Sequence, residues 1–108
     1  MAISGKSLAD GQLANTTGDL YTVPGSTRTF IVTVIVSNAG AGDNSINLFV
    51  KPSGGSDRRI VPKDMVLETG DTLYFDENIS LEAGDKLRGD ATNASEVDYS
   101  IYGGEQAV

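Results

Sequence analysis

A chain of 108 residues fits one compact domain, of a size that folds without disulfide or metal staples. It has neither cysteine nor histidine, which removes disulfides, thiolate metal sites, the imidazole proton shuttle and the Ser-His and Cys-His nucleophile pairs together; enzymatic activity is not expected. Its formal charge of −7 speaks for solubility and against a nucleic-acid binder, whose affinity comes from clustered cations.

In chain order, Leu8 to Asn15 reads as an extended lead-in, and residues 1–13 as an N-terminal arm free to order on a partner. Asp19 to Val23 is a short strand stopped by Pro24-Gly25. The longest β-rich run is Thr27 to Ser37, TRTFIVTVIVS, whose period-two reading puts Phe30, Val32, Val34 and Val36 on one face and Ile31, Thr33 and Ile35 on the other. Both faces are apolar, so the strand is either covered on both sides or turned toward another subunit. Asn38 to Asn44 reads as a mobile loop. SINLFVKP resumes as a strand with Ile46, Leu48 and Val50 inward. SGGSD then turns into RRIVPKD, a hairpin expected to gather Lys51, Arg58 and Lys63, with Pro62 at an edge or strand end.

The phrases LETGDTL and LEAGDKL, fourteen residues apart, each place a Gly-Asp pair between strands. That is where a tight turn needs positive φ and a carboxylate to accept backbone N–H groups. Short strands follow at Thr72 to Asp76, Ile79 to Leu81, Lys86 to Arg88 and Val97 to Tyr102. No stretch carries a helical apolar stripe. The whole predicts a single all-β domain over 1–108, an antiparallel β-sandwich or jelly-roll-like barrel with an extended N-terminal arm.

Candidate sites are weak by residue type. Glu68, Asp71, Glu82 and Asp85 belong to separate corners and lack calcium-loop spacing, so no metal or cofactor is expected. Arg88-Gly89-Asp90 spells an integrin-recognition tripeptide, but at a strand end rather than a loop tip, which favours coincidence. Three glycosylation sequons are discounted, because M-A-I-S-G-K-S lacks the basic start and apolar block of a secretory signal and no apolar run is long enough to span a membrane. Synthesis in a cytoplasm, without membrane binding, is the expectation. With no tryptophan, carbohydrate platforms reduce to Tyr21, Tyr74, Tyr99 and Tyr102, which are expected to cap the sandwich; no small-molecule ligand is expected.

LADGQL, GDLYTVP, the long apolar strand, NLFVKPSGGSDRRIVPKD, LEAGDKLRGDA and VDYSIYG, taken in order over almost the whole chain, resemble small structural proteins of tailed bacteriophages. The resemblance implies a virion component: a decoration (cement) protein that binds the major capsid protein on the outer head surface, or, as the alternative, a tail- or fibre-associated module. It also implies a homotrimer. The contact residues expected on this basis are Ile3, Leu8 and Leu13 in the arm, Phe30, Ile31 and Ile35 on the long strand, and Lys51, Arg58, Arg59 and Lys63 in the basic hairpin.

Overall fold

The computed structural model describes residues 4–108. Among these are ten strands in two antiparallel sheets, and no helix: β1 Ser4–Gln12, β2 Gly18–Thr22, β3 Thr27–Asn38, β4 Asn44–Lys51, β5 Arg58–Arg59, β6 Met65–Leu67, β7 Thr72–Phe75, β8 Ile79–Leu81, β9 Lys86–Ala91 and β10 Val97–Ala107. The first sheet runs β1-β10-β3-β7, with β8 continuing the β7 edge along β3; the second runs β2-β9-β4-β5, with β6 continuing the β5 edge along β4. The sheets face each other across a core that includes Ile31, Val34, Val36, Ile46, Leu48, Leu87 and Ile101. This is the expected antiparallel β-sandwich, and each fully buried Leu or Ile contributes roughly 1.5–3 kcal/mol.

The long strand does not keep a strict period of two. β3 and β10 pair with a register shift between Tyr102 and Gly103, so that Thr33 faces Tyr102 but Ile31 faces Gly103, and Val32 is the extra residue of a β-bulge. Below the bulge Thr29 and Ile31 point inward; above it Val34, Val36 and Asn38 do. Ile31, expected with Thr33 and Ile35 on one face, therefore belongs to the core, while Val32 is expelled at 52% exposure. The bulge needs glycine opposite it. A Cβ on Gly103 would fall inside the Phe30 carbonyl oxygen and close on Ile31 Cα, both of them backbone atoms that cannot yield.

Over Ser4–Gln12 the N-terminal segment is an edge strand and not a free arm. It pairs antiparallel with β10 along its length, with Leu8 bulged between Ser7 and Ala9. The Leu13 N–H then donates to the Val97 carbonyl (2.8 Å), and the Leu13 side chain is fully buried. A backbone that satisfies its hydrogen bonds internally has no reason to detach.

The doubled phrase is turn chemistry, as its residues predict. Gly70 and Gly84 have φ of 83° and 86°, and the N–H groups of Asp71 and Asp85 donate to the carbonyls of Glu68 and Glu82, each at 3.0 Å. Both are turns with glycine in the left-handed third position. They sit at opposite ends of β3: Gly70 N–H bonds the Asn38 carbonyl, and Gly84 N–H bonds that of Val23, ahead of the strand's start. Their carboxylates do not converge.

The loop expected to be mobile is pinned. Asn38 is buried and spends its amide on four bonds: Nδ2 donates to the carbonyls of Leu67 (2.8 Å) and Gly42 (2.9 Å), and Oδ1 accepts from Gly40 N–H (3.0 Å) and Asn44 Nδ2 (3.2 Å). Buried Asn44 extends the network to Glu96 and the Asn93 N–H.

Candidate functional site

The two outer faces of the sandwich differ in kind. On the second sheet a group of outward polar side chains around β9 satisfies itself, beside Phe49 under Arg59 and Val66, which is 59% exposed. Asp19 accepts from Lys86 (2.7 Å) and Arg88 (2.9 Å), and Arg88 also reaches Asp57 (2.7 Å). The hydrogen bond from Lys86, with Arg88 behind it, holds the Asp19 carboxyl below its ordinary range. Asp90 accepts from Thr17 (2.6 Å) and from Asn47 (2.8 Å), and Asn47 in turn binds Asp64 and accepts from Arg59. Arg88, Gly89 and Asp90 therefore lie inside β9 rather than at a strand end, with both charged groups paired and Gly89 pressed on the Asn47 carbonyl. The tripeptide is part of the sheet and is not displayed.

The basic hairpin divides. Arg59 is engaged, its guanidinium 4.8 Å from the centroid of Phe49 and bonded to Asn47 Oδ1. Arg58 pairs with Val50 on the edge of the second sheet, next to Lys51, whereas the chain bends after Arg59 and Lys63 falls in the turn before β6. Lys51, Arg58 and Lys63 make no ion pair among the described residues. Of the expected arm contacts, Leu13 is core, Leu8 packs against the core from the edge, and Ile3 lies outside the described residues.

The outer face of the first sheet carries an apolar cluster on β3 and its neighbours among polar side chains such as Thr33, Ser37, Ser100 and Asp98. Phe30 and Ile35, two of the expected contact residues, stand there half-buried. Sequence reading missed their neighbours Val32, Tyr74 and Tyr102, which are 52%, 63% and 42% exposed. Register brings them together: Ile35 pairs with Tyr74 on one side and Ser100 on the other, and Thr33 pairs with Tyr102. A signal for Tyr74 was present, because Leu73 and Phe75 flank it as inward residues of a four-residue strand. For Val32 there was none, since the bulge depends on a glycine seventy-one positions away in sequence. Among the described residues, Arg28, tied to Glu82 at 3.0 Å, brings the one ion pair to this face.

Between the faces, one polar bolt crosses the core. The Tyr21 hydroxyl, on β2, donates to the Glu105 carboxylate on β10 and shares a 2.8 Å bond with the Thr29 hydroxyl on β3. Lys6 on β1 completes it, 2.6 Å from Glu105. Burial, with the Glu105 carboxylate beside it, pushes the Tyr21 hydroxyl up to about 12. The Lys6 ammonium, and then the Tyr21 hydroxyl, hold Glu105 below its ordinary value. Tyr21 is thus a core residue and not a cap.

Compared by sequence, the chain matches no protein-family model and no curated protein. Compared by structure, it is similar to a pentameric capsid protein isolated from metagenomic phage sequences, at 17% identity and a TM-score of 0.42 over 94% of this chain and 60% of that one. This chain spans about three-fifths of that neighbour's length.

Proposed function

We propose that this chain is a structural protein of a tailed-phage virion, that it works by packing rather than by catalysis, and that it decorates the outer surface of the head. The observation that supports a packing role is the outer face of the first sheet, where Val32, Tyr74 and Tyr102 are open to solvent beside half-buried Phe30 and Ile35. A surface of that kind gains free energy when covered, at about 25 cal/mol per Å² of apolar area, less the ordering and desolvation costs of association. The placement in a phage head rests on the resemblance of the strand and turn phrases. In this reading the major capsid protein is met by Lys51, Arg58 and Lys63, which make no ion pair among the described residues, and copies of the protein meet through the apolar cluster of the first sheet. Many such contacts repeated over a shell would oppose the pressure of packaged DNA.

The test is to add labelled protein to matching virions or shells that lack it, sediment them, and count copies on heads and tails separately. Saturation at hundreds of copies on heads, weakened at low salt by Lys51→Glu with Arg58→Glu, supports the proposal. Binding confined to tails, or to neither, overturns it.

A further inference from the structure

The register of the first sheet shows a second property of its outer face. Along β3 and β10 the outward pairs are Ile35 with Ser100, Thr33 with Tyr102 and Phe30 with Gly104. Outside the middle row, bulk stands on β3 and small residues on β10. One strand further out the same imbalance recurs, with Tyr74 in the row of Ile35 and Asp10 in the row of Ser100.

We propose that this face docks on the same face of a second copy, about a two-fold axis running parallel to the strands between β3 and β10. Rotation about that axis lays one face on the other, exchanges the β3 and β10 columns and keeps each row. Phe30 then meets the partner's Gly104, Ile35 the partner's Ser100, Thr33 the partner's Tyr102 and Tyr74 the partner's Asp10. Large side chains enter the places of small ones, which is how packed sheets interdigitate. A two-fold axis across the strands would instead set Ile35 against the partner's Phe30 and Ser100 against the partner's Gly104, a collision beside a void.

Charge agrees with this choice. Asp98, in the row of Ser37, meets the partner's Ser37, and Asp10 meets the partner's Tyr74, so neither carboxylate faces a carboxylate although each chain carries −7. The area suffices as well. Four strands at ~4.8 Å and the span of Arg28 to Ser37 at ~3.3 Å per residue cover roughly 600 Å² per copy, the lower bound of a specific interface. That is a dissociable pair. A three-fold ring needs two different patches on each copy, whereas this face matches itself; the expected number is two, not the three implied by the resemblance.

The pairing stands apart from any attachment to a shell, so it is tested on the purified chain. Sedimentation equilibrium at tens of micromolar protein and physiological salt should give a dimer. Ile35→Lys, and separately Tyr74→Lys at a position open enough to spare the fold, should weaken it by about thirtyfold or more, the size of a hot-spot loss, with the unfolding transition retained. Because the chain lacks cysteine, single thiols are unique. Tyr74→Cys mixed with Asp10→Cys should be joined by a bis-maleimide of about 10 Å, the separation of packed sheets, while Tyr74→Cys mixed with Ser80→Cys should not. A monomer or trimer at that concentration, a Tyr74→Lys variant that still pairs, or linkage through Ser80→Cys in place of Asp10→Cys overturns the proposal.

Discussion

Replacing Tyr21 by phenylalanine removes one oxygen from the bolt that joins the sheets and leaves the ring in place. At neutral pH two bonds are lost. One is charge-assisted, to Glu105, which keeps Lys6; the other leaves the hydroxyl of fully buried Thr29 without its partner. A bond to a charged group contributes about 1.5–3 kcal/mol and a stranded buried hydroxyl costs about 1–3 kcal/mol, so with partial relaxation Tyr21→Phe should lose about 2–4 kcal/mol. The pH dependence is a second readout with a definite sign. The hydroxyl is raised to about 12 in the folded chain, against about 10 when unfolded, so its contribution is present below pH ~10 and is lost as pH rises through about 12. Tyr21 is 8% exposed, and a rise from about 10 to about 12 is equivalent to about 2–3 kcal/mol. The stability gap between the two proteins should therefore shrink by that amount from pH ~10 to pH ~12. Tyr99, also raised by burial and by the nearby Asp10 charge, titrates in both proteins and cancels. Urea unfolding at constant slope is the assay. A gap below about 0.5 kcal/mol at about pH 7, or one that stays constant to about pH 12, would refute the role given to this bolt.

On the acid side, Glu105 is lowered in the folded chain, so its contribution is present above its unfolded value of about 4.3 and lost as pH falls through the depressed one; Glu105→Gln should flatten the acid limb of stability below pH ~4.3, and an unchanged limb would place that titration elsewhere. Asn38→Ala should cost about 3 kcal/mol and raise amide hydrogen exchange in residues 39–43, because four bonds around one buried amide are lost together. Gly103→Ala should destabilise by about 3 kcal/mol or more by thermal unfolding, whereas Gly25→Ala, where a Cβ meets open space, should leave stability unchanged within about 1 kcal/mol. Deleting residues 2–13 should lower global stability rather than act on binding alone, since it strips the edge strand and the Leu13 plug; a truncated protein with unchanged unfolding would restore the free arm.

Local chemistry was enough to determine the all-β class, the two Gly-Asp turns and the inward set Ile46 and Leu48, because turn grammar and alternation act over a few residues. It missed β1 and β6 and ended β9 and β10 early, since a strand such as SGKSLADGQ has no pattern of its own and exists only because β10 offers it a ladder. The rest was decided by pairing across the chain. Gly103 permits the bulge at Val32, which sends Ile31 into the core, and the ladder to β10 turns the expected arm into an edge. Asp19 and Asp57 neutralise Arg88, and Asn47 occupies Arg59, leaving Lys51, Arg58 and Lys63 of the basic hairpin without an ion pair among the described residues. Which apolar side chains remain uncovered is a difference between two sheets built from strands distant in sequence. Period and composition describe each strand alone, and only the tertiary structure sets what each strand's second face meets.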